Sequence, residues 1–374
     1  MPIKNKKKSN PKKTKNVTKV TVENKEENLF WKITKRILKV LGYIVGAAVL
    51  IFLLLFIYAN LPVAQNKNKI PLGVTFSSRY ASDIGLDWRA NYLAMLDELE
   101  IRKIRIPVYW DLVEKNEGQY DFADLDWQLN EAAKRNAQII LVIGRKVPRW
   151  PECFIPKWTG EDTDIQKQKL LAFEKNVIER YKHNHPEIVS WQVENEPFLD
   201  FGVCPMVDNA ALLDAEIAQT RKLDSSRKIV VTDSGELSLW IQAAKRADIF
   251  GTTMYREVYS SRQVFGKTLG HWRYPIGPNF FKIKKLLISL FANQKNAIVI
   301  ELQGEPWVQG WTVHAPIETQ LASMNADILK DNFEFAKKTG VDEIYVWGVE
   351  WWYWMKITQN NDSLWKQAEE LNFE

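Results

Sequence analysis

Trp191-Gln192-Val193-Glu194-Asn195-Glu196-Pro197 is the stretch from which the fold of this chain is predicted. It begins as a mostly apolar run and ends in carboxylates and a proline, which is where a β-strand should stop. A second run, Ala297-Ile298-Val299-Ile300-Glu301, also ends in a carboxylate. In a parallel α/β barrel the downstream ends of all strands open onto one face, so Glu196 and Glu301 would meet there.

Residues 70–374 alternate between strand-like and helix-like patterns. Short apolar, β-branched runs predict eight strands: Leu72–Phe76, Lys103–Pro107, Gln138–Ile143, Ile188–Val193, Lys228–Thr232, Ile249–Met254, Ala297–Ile300 and Glu343–Trp347. Apolar residues at three-and-four spacing predict helices between them: Tyr92–Leu99, Leu125–Arg135, Gln166–His183, Ala210–Leu223, Leu237–Arg246, Phe281–Phe291 and Thr319–Lys338. This alternation predicts one (β/α)₈ (TIM) barrel over residues 70–374. A doubly wound sheet is the alternative, but the region around Gly73 lacks its glycine-rich first turn.

The N-terminus differs sharply in composition. Residues 1–39 carry thirteen Lys or Arg and three Glu, with almost no apolar periodicity, so this tail is expected to be disordered. Residues 40–61 are uncharged and long enough to cross a membrane as one helix, and residues 62–69 are expected to be a linker. The basic flank predicts a cytoplasmic N-terminus and an extracytoplasmic barrel. The lipid bilayer would then be the partner of residues 40–61, with a cleaved signal peptide as the alternative.

The charge balance limits the other partners. The whole chain has a net charge of +5, and removing the tail's +10 leaves −5 for the rest, so no nucleic-acid partner is expected. The tail is expected to contact anionic lipid instead. The four His are scattered, and neither a P-loop nor Gly-x-Ser-x-Gly occurs, so no metal and no cofactor is predicted.

Asn195-Glu196-Pro197 at a strand end resembles the acid/base motif of clan A glycoside hydrolases, which are retaining TIM-barrel enzymes. The run from Trp191 to Glu196 is similar to the version in family 42 β-galactosidases, and Pro197 matches the version in cellulase-type family 5 enzymes. Clan members carry the acid/base after the fourth strand and the nucleophile after the seventh. Glu196 and Glu301 follow the fourth and seventh predicted strands here, and the resemblance extends over residues 71–354.

Further positions match the clan pattern. Arg105 on the second strand matches an Arg beside the nucleophile, and Tyr255 after the sixth matches a Tyr bonded to it. Trp347, at the end of the eighth strand, matches the floor of the sugar site. Trp307 is a further candidate platform, because aromatic rings suit the apolar faces of sugars. For any single Trp, ordinary packing is the alternative.

The resemblance implies cleavage of β-glycosidic bonds by double displacement. Glu301 would attack the anomeric carbon and Glu196 would act as acid/base, with the two carboxyl groups about 5–5.5 Å apart. Arg105 would keep Glu301 ionised, since a nearby cation lowers a carboxyl pKa. The charge on Glu301, with burial, would raise the pKa of Glu196 so that it can donate a proton. Asn195 would bond the sugar 2-hydroxyl.

Two nearby carboxylates depart from a simple pattern. Clan nucleophile motifs commonly read Thr-Glu-x-Gly, but Glu301 here is followed by Leu302-Gln303-Gly304-Glu305, which makes Glu305 a competitor. Glu301 is preferred because it directly ends the predicted strand. Strict alternation would send Glu194 and Glu196 to one face, so the strand is expected to break or bulge there and leave Glu194 lower in the barrel or toward the helices.

Cys153 and Cys204, the two cysteines of the chain, follow the third and fourth predicted strands. Neighbouring strands place these loops side by side on one face, so a disulfide is predicted. Two unrelated buried thiols are the alternative.

The predicted function is therefore a membrane-anchored, retaining O-glycosyl hydrolase that acts on an oligo- or polysaccharide. A transglycosylase that remodels envelope polysaccharide on the same site is one alternative, because the carboxylates alone do not decide whether water or a sugar accepts the glycosyl group. A non-catalytic saccharide-binding barrel is the other, and it would keep binding without Glu196.

Overall fold

Eight parallel strands close into a barrel. The computed structural model describes residues 16–64, 69–204 and 209–373. Numbered in chain order, its strands are β1 Leu72–Thr75, β2 Lys103–Pro107, β3 Gln138–Ile143, β4 Ile188–Val193, β5 Lys228–Asp233, β6 Ile249–Met254, β7 Glu257–Val264, β8 Lys267–Arg273, β9 Ala297–Gln303 and β10 Ile344–Trp347. Around the barrel the order is β1-β10-β9-β6-β5-β4-β3-β2. The predicted (β/α)₈ barrel is confirmed.

Alternation along the strands divides the apolar side chains into two layers. Ile140, Val230, Ile298, Ile300 and Tyr345 form a small cluster inside the barrel. The residues that alternate with them belong to a much larger cluster between the strands and the surrounding helices. Because the strands are buried on both faces, they are nearly continuous apolar runs, which is why their positions could be predicted.

β9 departs from its predicted bounds in a way that matters for the site. It was expected to end at Ile300, and it continues to Gln303. Its pairing with β6 passes from Thr252↔Val299 to Thr253↔Glu301, so Ile300 is an extra residue. This bulge interrupts the alternation, and both Ile300 and Glu301 therefore face the barrel interior.

The barrel strands are connected mainly by helices. The α-helices after the N-terminal helix α1 (Asn16–Ala59) are α2 Ser78–Asp83, α3 Trp88–Asp97, α4 Trp110–Val113, α5 Ala123–Lys134, α6 Thr163–Tyr181, α7 Asn209–Leu223, α8 Ile241–Ala244, α9 Pro278–Phe291, α10 Ile317–Ser323, α11 Ala326–Lys337, α12 Val349–Thr358 and α13 Ser363–Leu371. Short 3₁₀ helices lie at Lys157–Thr159 and Thr312–His314.

Two helix predictions need correction. The helix expected over Leu237–Arg246 is reduced to the single turn α8, which follows Trp240 in a left-handed conformation. The helix expected over Thr319–Lys338 is broken into α10 and α11. Asn325 has extended backbone between them and its side chain accepts from the amide of Ile328, so it starts a new helix rather than continuing the old one.

β7 and β8 form an antiparallel hairpin outside the barrel that was not predicted. The hairpin directly follows the sixth barrel strand. Its residues are largely exposed, so it lacks the continuous apolar pattern by which the barrel strands were recognised.

The N-terminal helix is longer than expected. Within α1, residues Leu29–Ala59 are long and apolar enough to cross a membrane, with a mean hydropathy of 2.9, a property shared by anchors and signal sequences. The expected disorder of residues 1–39 is wrong from Asn16 onward, and residues 1–15 lie outside the described part. A helix already nucleated by the apolar segment extends easily through residues 16–39, which contain neither Gly nor Pro. The chain divides into this helix, up to Tyr58, and a barrel unit from Ala59.

Candidate active site

Arg105 on β2 is the centre of a hydrogen-bond network in the barrel mouth. Its Nη1 donates to Glu301 Oε1 at 2.6 Å, and its Nη2 donates to Asn195 Oδ1 at 2.7 Å. Its Nε donates to Gln192 Oε1 at 2.8 Å. Arg105 is fully buried, so its charge must be matched by these acceptors. The rigid guanidinium thereby fixes the ends of β4 and β9 relative to each other.

Glu301 is held on both carboxylate oxygens. The oxygen opposite the Arg105 contact, Oε2, accepts from the hydroxyl of Tyr255 at 2.8 Å. Tyr255 follows β6 directly, so three barrel strands contribute to the position of this one carboxylate. The structure thus brings Arg105, Tyr255 and Glu301 together.

Glu196 lies next to this network but in a different environment. Its amide donates to Thr232 Oγ1 at 2.9 Å, and its Oε1 accepts from Thr253 Oγ1 at 3.1 Å. Burial raises the pKa of Glu196 well above its ordinary value, and the negative charges of Glu301 and then Glu152 raise it further. The site therefore favours the protonated form of Glu196.

Glu194 points away from Glu196. β4 ends at Val193, and both Glu194 (φ 58°) and Glu196 (φ 45°) have left-handed backbone, an uncommon conformation for residues other than glycine. The Glu194 carboxylate accepts from the amides of Arg145 and Lys146, at 2.9 Å each. The expected break after β4 is present, and it separates the two side chains.

Three charged residues in the loop after β3 were not among the predicted site residues: Lys146, Arg149 and Glu152. Lys146 Nζ donates to the carbonyls of Glu196 and Leu199 at 3.0 Å each. It also lies 3.5 Å from Glu152 Oε2. Burial raises the pKa of Glu152 to about 8 although Lys146 opposes the shift. The charge of Glu301 contributes to the same rise, so Glu152 is a third carboxylate near the candidate pair. Charged residues directly after a barrel strand were the available signal.

Arg149, from the same loop, explains the surroundings of Trp347 and Glu305. Its guanidinium stacks between the rings of Tyr80 and Trp347, with centroid distances of 3.8 and 3.9 Å. It also pairs with Glu305 at 2.5 Å and with Glu350 at 2.6 Å. Trp347 Nε1 donates to the same Glu305 at 2.7 Å. Glu305 is therefore engaged in a structural ion pair, and one face of Trp347 is covered by Arg149.

Trp307 belongs to an aromatic group at the rim. Its ring packs edge-on against Tyr255 with centroids 5.0 Å apart, and it lies 6.3 Å from Phe201. Phe201 in turn packs against Trp150, which is 58% exposed. The candidate platform Trp307 thus lies next to the tyrosine that bonds Glu301.

Cys153 and Cys204 are joined by a disulfide with a Cα–Cα distance of 4.9 Å. It connects the loop that carries Glu152 to the segment that follows Glu196. Titration of free thiols in the denatured, unreduced protein should detect none, and two thiols per chain would contradict the pairing.

The described residues contain no group of three or more His, Cys, Asp and Glu that could hold a metal ion. The chemistry available in this mouth is that of paired carboxylates with a buried arginine.

Comparisons with known proteins agree with this fold. Residues 152–286 match the family model of the TIM barrel domain of glycosyl hydrolases family 2. The β-galactosidase from Bacillus circulans sp. alkalophilus is similar in structure, with a TM-score of 0.54 and 14% identity over 81% of this chain and 55% of that chain. GH5_18 from Streptomyces cattleya, solved in complex with GlcNAc, has a TM-score of 0.50 and 13% identity over 75% of this chain and 71% of that chain. No curated protein matches significantly in sequence.

The barrel shares its fold with these solved structures, and residues 152–286 are similar to a glycosyl hydrolase barrel domain, which confirms the expected resemblance. The chain spans about half the length of the first β-galactosidases it matches.

Proposed function

We propose that this protein is a retaining β-glycoside hydrolase held at a membrane by its N-terminal helix. The observation that carries the proposal is the guanidinium of Arg105, which donates to both Glu301 and Asn195. It ties a carboxylate suited to attack and an amide suited to bind sugar into one rigid unit, with a proton-holding carboxylate beside them.

In the first step, Glu301 attacks the anomeric carbon and forms a covalent glycosyl ester. Its bonds to Arg105 and Tyr255 orient the carboxylate for attack. Glu196 gives its proton to the leaving oxygen, a role that its raised pKa favours. Asn195 Nδ2 is buried and has no partner among the described residues, so it can donate to the sugar 2-hydroxyl.

In the second step, Glu196 acts as the base. It takes a proton from water, which attacks the anomeric carbon and releases Glu301. After Glu301 has become a neutral ester, one of the charges that raise the pKa of Glu196 is gone. The pKa of Glu196 therefore falls at the stage where a base is needed.

Two experiments with the full chain in detergent test this chemistry. A screen of aryl β-glycosides and β-glucans should find turnover with retained anomeric configuration. A 2-fluoro glycoside with a good leaving group should then label Glu301, because the fluorine slows the second step and the ester accumulates. Inverted product, or a label on Glu305, would contradict the mechanism. Saccharide binding without turnover would favour a non-catalytic binding barrel. Transfer of the glycosyl group to an added sugar in place of water would favour a transglycosylase.

We also propose that residues 1–39 are cytoplasmic and the barrel extracytoplasmic. The support is an apolar helix segment at Leu29–Ala59 beside a strongly basic tail. Protease added to intact cells or spheroplasts should reach the barrel but not the tail. A protected barrel would reverse this topology, and a mature protein that begins after the helix would identify a signal peptide.

A further inference from the structure

The charge of the barrel unit is distributed unevenly. Between Glu257 and Glu301 lie 43 residues with seven Lys or Arg and no Asp or Glu, although residues 40–374 carry a net charge of −5. This stretch contains α9 and all of the β7–β8 hairpin except its first residue, Glu257. One of the seven, Lys284, is buried against the Trp240 ring and bonded to the Gly235 carbonyl, so it does not contribute to the surface.

The turn of the hairpin is energetically unfavourable in its backbone and in its side chain. Val264 pairs with Lys267, so Phe265 and Gly266 form a two-residue turn, with φ angles of 50° and 76°. Such a turn favours Asn or Gly at both positions, and a phenylalanine with positive φ is strained. Its side chain is also fully exposed, at 102%. A strained and exposed aromatic residue indicates a role in binding, because neither local structure nor packing explains it.

The neighbours of Phe265 have a consistent chemistry. Val264 and Leu269 are exposed apolar side chains at the same end of the hairpin. Arg262 and Lys267 flank them, also exposed. An aromatic and aliphatic tip surrounded by cations is the composition of segments that insert shallowly into anionic lipid surfaces.

The base of the hairpin lies where the chain enters the barrel unit. Asn60 Nδ2 donates to the carbonyl of Pro275 at 3.3 Å, and Asn279 Nδ2 donates to the carbonyl of Leu61 at 3.4 Å. Residues 60 and 61 follow directly on the apolar helix segment that ends at Ala59. The turn that receives them, Pro275–Asn279, comes directly after β8. If that helix spans a bilayer, the hairpin base is held within a few residues of the membrane surface.

We propose that the tip of the β7–β8 hairpin, residues 262–269, docks on an anionic lipid surface next to the point where the chain leaves the membrane. This inference rests on the proposed anchor. Each strand of the hairpin reaches roughly 25 Å at about 3.4 Å per residue, so the tip lies well away from the hairpin base and forms a contact separate from the anchor.

The contact would orient the active site. Gln303, two residues after Glu301, accepts from the amides of Arg256 and Glu257 at 2.9 Å each and thereby holds the hairpin base on β9. Docking of the tip therefore keeps the barrel mouth close to the lipid surface. Saccharides attached to or lying on the membrane become the accessible substrates.

Photo-crosslinking in the full chain tests the contact. The protein is placed in nanodiscs of phosphatidylcholine alone or of phosphatidylcholine mixed with phosphatidylglycerol, carrying Phe265→benzoylphenylalanine. The matched control is Leu112→benzoylphenylalanine, an exposed apolar position after β2, on the opposite side of the same barrel face. We expect lipid adducts at position 265 and not at 112, with more adduct in the anionic discs.

A second pair of variants tests the charge. Arg262→Gln with Lys267→Gln should weaken lipid contact by about fivefold for each charge removed. Lys115→Gln with Lys157→Gln, two exposed lysines on the far side, should leave the adducts unchanged. Equal yields at positions 265 and 112, or adducts of position 265 with added saccharide or a second copy of the chain, would overturn the docking while leaving the anchor intact. A chain that does not enter the discs would refute the anchor and this inference with it.

Discussion

Glu194 and Glu196 follow the same strand two residues apart, yet they lie in different layers of the molecule. Glu196 faces the barrel mouth, next to Thr253 and close to the charges of Glu301 and Glu152. Glu194 faces the shell between strands and helices, where two backbone amides bind it. Its charge acts there on the buried Glu216 of α7 and Glu174 of α6.

The comparison shows that the donors around a carboxylate decide what it can do. In the shell, two fixed amides bind Glu194, while Glu174 and Glu216 are buried with no hydrogen-bonded cation among the described residues. In the mouth, Arg105 and Tyr255 bind Glu301. Glu196 accepts one hydroxyl bond, and the negative charges of Glu301 and Glu152 outweigh the opposing charge of Lys146. The mouth therefore gives its two carboxyl groups different surroundings, which is what acid and nucleophile roles require.

Glu301→Gln should have the largest effect. A retaining enzyme without its nucleophile forms no glycosyl ester, so kcat should fall by roughly a factor of 10⁴ or more. Glu305→Gln is the matched control, since Glu305 is paired with Arg149 and bonded by Trp347 and should affect mainly stability. Steady-state turnover of an aryl β-glycoside separates the two. A harmless Glu301→Gln with a fatal Glu305→Gln would show that the nucleophile has been misassigned.

Glu196→Ala should come next. Loss of the proton donor should slow substrates with poor leaving groups by about 10²–10⁴, while good leaving groups depart unaided. Azide should restore part of the turnover of the good substrates, since a small anion can occupy the space and attack the ester without a base. Glu194→Gln tests the other layer. If it gave the same dependence on leaving group and the same azide rescue, the two glutamates would not have distinct roles.

The shell carboxylates should make stability depend on pH. Burial raises the pKa of Glu174 from 4.5 to about 8, and burial with the charge of Glu194 raises that of Glu216. A folded-state pKa above the unfolded value gives stability that is full below about pH 4.5 and is lost as pH rises through about 8. Tm should therefore fall between these values, and less steeply in Glu174→Gln. Glu179→Gln changes an exposed residue of the same helix and should keep the wild-type dependence of Tm on pH. If Tm of Glu174→Gln fell with pH as steeply as that of the wild type, Glu174 would not be the group responsible.

The smallest expected effect is a shift in the pH dependence of kcat/KM. Glu152→Gln removes one of the negative charges that raise the pKa of Glu196. The alkaline limb of kcat/KM, on which the acid loses its proton, should move to lower pH, while the value on the plateau changes little. An unchanged limb would mean that Glu152 does not act on the acid/base, and a collapse of the plateau would assign it a direct part in binding.

The strands were predictable because burial on both faces leaves a continuous apolar run. β2, β3, β4 and β6 begin and end at the predicted residues. The β7–β8 hairpin could not be found that way, because its strands bury little apolar surface. It is held instead by its base and its turn. The break between α10 and α11 depends on one side chain, Asn325, that competes with the helix for a backbone amide.

The sequence by itself determined the barrel, the apolar N-terminal helix segment and the two candidate carboxylates, Glu196 and Glu301. Strand periodicity and strand ends are local properties of the chain, which is why they could be recognised. Only the tertiary structure decided which way those carboxylates point. The bulge at Ile300 turns Glu301 inward, and the left-handed residues after β4 separate Glu196 from Glu194. Burial and the neighbouring charges then raise the pKa of Glu196, and Arg105 binds Glu301 and Asn195. These interactions join residues about 90 to 200 positions apart, and no local pattern carries them.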